Sequence, residues 1–326
     1  MGTKEKLLTL FENNKGIYFS GEEIAEKLAV SRNAIWKAVN GLRVEGYEIN
    51  AIKNKGYCLS VASDILSAQG IQKYLEPIAS QLKLTVLPSA ESTNTLLRGK
   101  AAKGAPEGSC VVANSQTHGR GRVGRCFFSP VDTGIYLSLL LRPSQCSPQE
   151  AAGLTTMAAV AMCEAIESVS NETAWIKWVN DIYVRGKKVS GILTEASFSL
   201  ESGFLDYAVL GAGINVYPPK DGFPDEIKGI AGVVFDEPQN DGKNRLTAAF
   251  LNSFMKYYAS RGDADYAGPY RSRSFIIGKK VGVLSSTGTK QATALDVDEN
   301  CRLIVKYEDG QTECLVCGEV SLDLKN

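Results

Sequence analysis

Several residue types are scarce in this chain of 326 residues, and each scarcity excludes a class of function. The single histidine, His118, argues against histidine-rich metal sites and against a Ser-His-Asp triad. Among eight scattered cysteines only Cys314 and Cys317 form a CxxC pair, which we expect to be structural. No apolar run approaches the roughly 18 residues of a membrane span, and the N-terminal residues have no signal-peptide pattern, so we expect a cytoplasmic protein.

A surplus of either charge is also lacking, because 36 lysines and arginines balance 36 aspartates and glutamates. This balance is typical of an ordinary soluble protein. Apolar residues make up 44% of the sequence, and the length predicts two or three domains, each with its own core. Any chemistry must depend on lysine, arginine, carboxylates and backbone amides.

Residues 1–62 have the pattern of three short helices followed by a hairpin. Ser20 and Glu23 form a capping box at the start of the second helix. This order of elements is typical of a winged helix-turn-helix, whose third helix enters the major groove of DNA. Nine basic and seven acidic residues in positions 1–60 leave open a small helical domain with a polar face. The residues we expect to contact DNA are Ser31, Arg32, Asn33, Trp36, Lys37, Asn40, Lys53 and Lys55.

Residues 64–272 alternate helix-like and strand-like segments, which predicts a mixed α/β domain with room for a ligand pocket. From residue 273 to 326 the pattern changes to short strands around turn clusters, which predicts a small β-barrel. The expected fold is thus a multidomain α+β protein. The predicted helices of the central domain cover 64–75, 92–102, 148–168 and 244–261, and its strands cover 83–88, 108–114, 135–141, 174–178, 181–185, 188–196 and 204–214.

The segment GRGRVGR at 119–125 interleaves three arginines with three glycines between two apolar strands. Glycine lets backbone N–H groups approach an anion closely, and arginine presents a planar fork of donors to a carboxylate or phosphate. The segment therefore predicts a loop that wraps a negatively charged ligand, in which Val123 to Arg125 anchor the loop to the next strand. A basic surface loop that contacts nucleic acid is the alternative. No GxxxxGK[ST] occurs in the chain, which excludes a P-loop.

Three further segments are weak indications individually. SAESTNTLL at 89–97 places hydroxyls at a strand-to-helix junction, where they either cap the helix or orient a ligand. KWVND at 177–181 precedes a hairpin that carries Lys187 and Lys188, which either bind a phosphate or are solvated. VLGAGINV at 209–216 is a buried strand whose glycines leave room for a ligand. Its GAG is not a dinucleotide-binding fingerprint, because the third glycine and the following helix are missing.

Together these segments resemble the family of bifunctional biotin protein ligases and biotin operon repressors. The resemblance covers the whole chain and rests on GRGRVGR at 119–125, KWVND at 177–181, KVSGIL at 188–193 and GAGIN at 211–215, in the family's order behind a winged helix. It implies a ligase domain at 64–272 and an SH3-like barrel at 273–326.

The resemblance also implies a two-step reaction. Biotin and Mg²⁺·ATP form biotinyl-5′-AMP and pyrophosphate, and the biotinyl group then passes to a lysine of the biotin carboxyl carrier protein. The adenylate is in addition the corepressor, which favours a homodimer on the operator DNA of biotin genes. Two rivals stay open: a lipoate or octanoate ligase or transferase with the same central fold, and a regulator that senses a ligand without catalysis.

Residue roles follow from the resemblance position by position. Lys188, Arg122 and Asp181 would be catalytic, with Lys188 preferred to Lys187 because it stands three residues before Gly191, and Mg²⁺ would bind near Asp181. Residues implied to bind biotin are Ser92, Thr93, Asn94, Gln116, Arg120, Gly121, Arg122, Lys188 and Gly191. Those implied to bind the nucleotide are Arg120, Arg122, Phe127, Asn180, Lys188 and Asn215, with Gly211 to Asn215 lining the pocket.

Two departures from the family pattern bear on these roles. Val179 replaces the proline of the usual KWPND, which makes the turn less fixed. Phe127 stands where the family often has tryptophan, so adenine packing is expected to differ.

Overall fold

The computed structural model describes residues 2–261, 265–285, 288–316 and 318–322. The N-terminal part has its own apolar core, built around Leu7, Phe11, Ile24, Ile35 and Leu42. A second, larger core continues from the central sheet into the C-terminal strands. The DNA-binding pattern and the ligand-binding pattern therefore lie on separately packed parts of the chain.

The N-terminal part consists of three helices and a two-stranded hairpin, as the sequence predicts. Its elements are α1 (Thr3–Glu12), α2 (Gly21–Leu28), α3 (Arg32–Val44), β1 (Ile49–Ile52) and β2 (Gly56–Leu59). The Ser20 hydroxyl accepts from the Glu23 amide while the Glu23 carboxylate accepts from the Ser20 amide, so the capping box is confirmed. Ala29 turns the chain between α2 and α3 with φ of 54°.

The central part is built on a seven-stranded sheet in the order β3-β4-β5-β9-β8-β7-β6. Only the β3–β4 pair is parallel, and the remaining pairs are antiparallel. The strands are β3 (Lys83–Leu87), β4 (Ser109–Ala113), β5 (Gly134–Leu141), β6 (Ala174–Lys177), β7 (Asp181–Val184), β8 (Lys187–Phe198) and β9 (Leu205–Asn215). All seven were predicted, because apolar runs bounded by glycine and polar turns are a strong local signal.

Among the described residues, six α-helices accompany this sheet: α4 (Ala68–Gln72), α5 (Thr93–Ala101), α6 (Pro148–Val169), α7 (Asp225–Lys228), α8 (Gly242–Ala259) and α9 (Ala267–Arg273). The first is shorter than the predicted 64–75 helix, and the short helices α7 and α9 were not predicted. Helix α6 is long and apolar enough to cross a membrane by length and composition, but most of it is buried against the sheet and α8. Core burial accounts for that apolar character.

The C-terminal part is a five-stranded antiparallel sheet in the order β13-β12-β11-β10-β14. Its strands are β10 (Lys280–Ser285), β11 (Gly288–Val297), β12 (Leu303–Tyr307), β13 (Thr312–Leu315) and β14 (Glu319–Leu322). A small β unit is confirmed; β13 and β14 are the edges of its described strands, and closure into a barrel stays a prediction. The Trp178 indole donates to the Cys301 carbonyl oxygen at 2.9 Å and ties this unit to the central sheet.

Candidate functional site

One face of the central sheet combines charged residues at its edge with glycines in its middle. Lys177, Asp181, Gly191, Gly213 and Tyr136 are successive partners across five neighbouring strands. Directly paired residues of antiparallel strands point to the same face, so these five share one surface. The glycines leave space there that a larger residue would fill.

Two glycines of β9 are required by what packs over them. A Cβ on Gly211 would lie 2.2 Å from the Asn94 side-chain oxygen, and a Cβ on Gly213 would lie 2.6 Å from the Phe127 ring. Both distances are far below van der Waals contact. The two glycines of the GAG segment therefore let the Asn94 and Phe127 side chains pack directly over β9, at a place where the sequence predicts room for a ligand.

A first cavity lies over this glycine surface. Seven of its lining residues were predicted to bind ligand: Ser92, Thr93, Asn94, Gln116, Arg120, Phe127 and Gly191. Leu137, Leu193, Gly211, Ala212 and Gly213 complete its wall. The structure thus brings together residues from five separate segments of the chain.

The polar wall of the first cavity is a connected hydrogen-bond network. The Ser138 hydroxyl lies 2.8 Å from the Thr93 hydroxyl and 2.6 Å from the Asn94 side-chain oxygen. The Gln116 side-chain oxygen accepts from the Thr93 amide at 2.9 Å, and its nitrogen donates to the Ser129 hydroxyl at 3.1 Å. Partners on several sides hold these groups in fixed orientations, so the cavity presents defined donors and acceptors to a small polar ligand.

Glu195 does not line the first cavity but holds two residues of its wall, Asn94 and Arg120, and the sequence did not predict this role. One of its oxygens accepts from Arg98 at 2.8 Å and lies 3.1 Å from Arg120, and the other accepts from Asn94 at 2.9 Å. Ser138 was also missed. Each points to the ligand face of its strand, two residues along from Leu193 or Tyr136, so strand alternation was the available signal for both.

A second cavity adjoins the first and shares Arg120, Phe127, Gly191 and Leu193 with it. Its lining adds the remaining charged candidates and a few residues of the C-terminal unit: Gly121, Arg122, Arg125, Cys126, Lys177, Trp178, Asn180, Asp181, Lys188, Ile192, Gly318, Glu319 and Val320. Lys188 pairs with Asp181 at 2.6 Å, whereas the Lys187 ammonium donates to the Gly229 carbonyl at 2.6 Å and does not line either cavity. Cationic groups therefore surround a space next to the first cavity.

The arginine loop crosses between the two cavities and meets the C-terminal unit. Arg122 donates to the Asn180 side-chain oxygen at 3.2 Å and to the Gly318 carbonyl at 2.8 Å. Arg125 pairs with Glu319, and Val123 is 82% exposed with φ of 51°. The prediction that Val123 to Arg125 anchor the loop to the next strand is wrong, because the Arg125 side chain reaches β14 instead.

Of the residues predicted to bind the nucleotide, Phe127 lines the cavities and Asn215 does not. Phe127 packs over Gly213 and meets Tyr136 edge to face, with ring centroids 6.3 Å apart, so it forms a wall shared by both cavities. Asn215 donates to the Gly232 carbonyl at 3.1 Å and does not line either cavity. Its role in binding the nucleotide stays a prediction.

The turn at Val179 is held without the proline of the family pattern. The buried Tyr270 hydroxyl donates to the Val179 carbonyl at 2.9 Å, and the Asn180 side-chain amide donates to the Ile192 carbonyl at 2.8 Å. These contacts fix Val179 and Asn180 within the turn, so tertiary packing supplies part of the restriction expected from proline.

The predicted DNA-binding residues lie on one side of the N-terminal part. Arg32, Asn33, Trp36 and Lys37 are exposed on α3, while Ile35, Val39 and Leu42 are buried. Ser31 caps α3 by accepting from the Ala34 amide, Asn40 is half-buried, and Lys53 and Lys55 are exposed at the hairpin tip. The helix and the hairpin thus offer polar and cationic groups to a nucleic acid.

No cluster of three or more His, Cys, Asp or Glu side chains suited to a metal ion occurs in the described parts of the chain. Cys314 is exposed and lies 3.7 Å from Asp298, and Cys317 is outside the described residues.

Comparison with protein families gives three matches in chain order. Residues 3–58 match an HTH domain, residues 86–215 match the biotin/lipoate A/B protein ligase family, and residues 276–323 match the biotin protein ligase C-terminal domain. The order is that of the three structural units.

Individual proteins are similar over nearly the whole chain. The bifunctional ligase/repressor BirA of Bacillus spizizenii is 34% identical over 94% of this chain and 95% of its own length. The protein of the same name from Escherichia coli is 29% identical over 97% of this chain and 96% of its own. The biotin protein ligase of Aquifex aeolicus, solved with biotin and ATP, has a TM-score of 0.61 and 27% identity over 74% of this chain and 98% of its own.

Proposed function

The chain belongs to the family of bifunctional biotin protein ligases and biotin repressors, and from that premise we propose which of its residues carry the two activities. The protein is a ligase that activates biotin with ATP and biotinylates a lysine of biotin carboxyl carrier protein, and it is a DNA-binding repressor. We assign DNA binding to residues 1–62, ligation to 64–272 and the adjoining β unit to 273–326.

The first cavity is assigned to biotin. Thr93, Asn94 and Gln116, with Ser92 beside them, orient its polar ring, and Arg120 and Gly121 face its carboxylate. The single observation that carries this assignment is the continuity of the first cavity with the cationic second cavity. A ligand with an apolar body, a polar ring and a carboxylate tail would place the tail where the cations are.

The second cavity is assigned to the reacting phosphate. Two anions must meet there, and the approach is favoured by positive groups that act as charge develops in the transition state. Arg122 and Lys188 supply that charge; Asn180 accepts a hydrogen bond from Arg122, and Asp181 pairs with Lys188. Mg²⁺ is proposed to enter with the ATP phosphates close to Asp181, since one carboxylate plus phosphates is a usual Mg²⁺ environment.

The proposed ligation has two steps, adenylation of biotin and transfer of the biotinyl group. An oxygen of the biotin carboxylate forms a bond to the α-phosphorus, and the bond to the bridging oxygen breaks, which releases pyrophosphate. The neutral amine of the carrier lysine next attacks the carbonyl of biotinyl-5′-AMP, the bond from that carbonyl carbon to the phosphate oxygen breaks, and an amide, AMP and one proton lost from the amine nitrogen to solvent are formed. Phe127, which walls both cavities, is assigned to pack against the nucleotide, whereas Asn215 donates to the Gly232 carbonyl and its contact with the nucleotide stays a prediction.

Biotin-dependent exchange of labelled pyrophosphate into ATP tests these assignments. We expect Lys188→Ala and Arg122→Ala each to lower the exchange rate by about 100- to 1000-fold, as loss of one transition-state donor does. Lys187→Ala is the matched control, because the neighbouring ammonium binds the Gly229 carbonyl outside both cavities. Unchanged rates in the first two variants would refute the assignment, and exchange with lipoate in place of biotin would favour the lipoate rival.

For repression we propose that biotinyl-5′-AMP orders the arginine loop and favours a homodimer, which places two winged helices on a two-fold operator. We also propose a cytoplasmic location. Gel shifts on biotin-gene promoters should show tighter binding when biotin and ATP are both present. Binding that ignores both ligands would contradict the corepressor role.

A further inference from the structure

Ser138 is the buried centre of the hydrogen-bond network behind the first cavity. It lies on β5, its surface is fully buried, and it lines neither the first nor the second cavity. Its hydroxyl has two oxygen neighbours, the Asn94 side-chain oxygen at 2.6 Å and the Thr93 hydroxyl at 2.8 Å. A serine hydroxyl carries one proton, so Ser138 can donate to only one of these two oxygens.

The Asn94 side chain accepts that proton. Its nitrogen donates to the Leu193 carbonyl at 3.2 Å and to the Glu195 carboxylate at 2.9 Å, and both of these groups can only accept. Its oxygen is thereby turned toward Ser138, in space that Gly211 leaves free, since a Cβ there would lie 2.2 Å from this oxygen. Because an amide oxygen has no proton to give, Ser138 donates to Asn94.

The contact between Ser138 and Thr93 must then carry the proton of Thr93. Without that proton, two oxygens would face each other with lone pairs alone at 2.8 Å, the ordinary length of an O–H···O hydrogen bond. The Gln116 side-chain oxygen is also within reach of the Thr93 hydroxyl, at 3.2 Å, but it already accepts from the Thr93 amide at 2.9 Å. The Thr93 hydroxyl therefore directs its proton to Ser138 and its lone pairs toward the first cavity.

Gln116 is held with its oxygen on the same side. The Ser129 hydroxyl donates to the Phe127 carbonyl at 2.8 Å, so its oxygen accepts from the Gln116 side-chain nitrogen at 3.1 Å. This orientation places the Gln116 oxygen 3.2 Å from the Thr93 hydroxyl oxygen, and both residues line the first cavity. Since the Thr93 proton is committed to Ser138, the wall presents two adjacent acceptors, which an N–H group of a ligand would satisfy.

We propose that Ser138 is a specificity-determining residue, which accepts the Thr93 proton and thereby makes the first cavity select a ring that carries N–H donors. This inference rests on the proposed binding of biotin in that cavity. The cyclic urea of biotin has such donors, whereas the dithiolane ring of lipoate has none. A wall of acceptors rejects a ligand without the donor, because its oxygens are then left desolvated and unpaired. Ser138 acts through Thr93 and does not touch the ligand, so its role is one of positioning.

Competition binding to the full-length protein tests this role with biotin and two analogues, in each of which oxygen replaces one ring N–H. We expect the wild-type protein to bind the more strongly rejected analogue at least about 100-fold less tightly than biotin, as a site built for a donor does. In Ser138→Ala the Thr93 proton is free to turn into the cavity, where it repels a ring N–H and satisfies a ring oxygen. The affinity ratio should therefore fall about tenfold, the equivalent of one hydrogen bond.

Ser190→Ala is the matched control. Ser190 lies on β8 and is as fully buried as Ser138, but its hydroxyl has no hydrogen-bond partner among the residues that the structure describes. Its loss should leave the affinity ratio unchanged.

An unchanged ratio in Ser138→Ala would overturn the proposal, even if all three ligands bound more weakly, because uniform weakening indicates a structural role. An equal fall in Ser190→Ala would overturn it as well, and so would wild-type binding that is indifferent to the replacement of either N–H. Failure of the proposed function itself looks different: the wild-type protein would then not bind biotin.

Discussion

The winged helix and the ligase cavities obtain their functional surfaces in opposite ways. The proposed DNA-binding residues fall between Ser31 and Lys55, on one helix and one hairpin, and most are exposed. The cavities draw on residues from Ser92 to Val320, brought together by sheet pairing, a loop and the C-terminal unit. A local surface tolerates change at single positions, whereas an assembled cavity depends on the packing around it.

The two regions meet at a buried ionic junction, which consists of Glu12, Lys15, Lys73, Tyr74 and Asp241. Lys15 lies 3.0 Å from Asp241 and 3.3 Å from Glu12, and Lys73 pairs with Asp241 and lies 2.9 Å from Glu12. The Tyr74 hydroxyl donates to Asp241 at 2.8 Å. Glu12 and Lys15 belong to the winged-helix part and the others to the ligase part, so this junction sets how one part sits on the other.

Breaking the junction should have the largest effect. We expect Asp241→Asn to lower the free energy of unfolding at pH 7 by about 3 kcal/mol, because it leaves a buried lysine charge uncompensated. Chemical denaturation measures this loss. Asp236→Asn is the control, since Asp236 forms an exposed pair with Arg185 and should matter little. Equal losses in the two variants would show that burial of the junction contributes nothing.

The same junction predicts a pH dependence. Burial acts to raise the pKa of the Asp241 carboxyl, but hydrogen bonds from Lys73 and Asn244 and the charge of Lys15 outweigh it and hold the pKa below its usual value. A lowered pKa in the folded state stabilises the protein above the ordinary aspartate value of about 4, and the contribution is lost as the pH falls through the lowered value. The stability difference between wild type and Asp241→Asn should therefore shrink below about pH 4.

An intermediate effect is expected in the wall of the first cavity. Glu195→Gln keeps the shape but removes the charge that holds Asn94, Arg98 and Arg120 together. We expect the KM for biotin to rise about tenfold, the equivalent of one charge-assisted hydrogen bond, while the KM for ATP stays the same. Glu226→Gln, at an exposed position of α7, is the control. A rise in both KM values would point to general disturbance of the fold.

The smallest effect is expected on the winged helix. Lys37→Ala removes one exposed cation of α3, which should weaken operator binding several-fold and reduce the slope of log affinity against log salt by about 0.9. Titrations of operator DNA at several salt concentrations measure both quantities. Lys6→Ala, exposed on α1, is the control. An unchanged slope would exclude Lys37 from phosphate contact.

The two regions also differ in how much of each could be predicted from the sequence. The capping box at Ser20 and the exposed face of α3 depend on residues close together in the chain, and both were predicted. Short helices such as α7 were missed, because four residues carry too little periodicity. Glu195 was missed for another reason: it belongs to none of the motifs, and only strand pairing and the packing of α5 bring it to Asn94 and Arg98.

The sequence by itself determined the elements of this protein and the kinds of groups it has for chemistry. With one histidine and a glycine-arginine loop, only lysine, arginine, carboxylates and amides were at hand, and each strand of the central sheet could be recognised from local pattern. Tertiary structure alone decided the partners: Arg125 reaches Glu319, Lys188 pairs with Asp181, and Lys177 is left without a partner among the described residues. The physical reason is that ion pairs depend on distances of a few ångströms between residues far apart in the chain, and only the registers and packing of the folded protein set those distances.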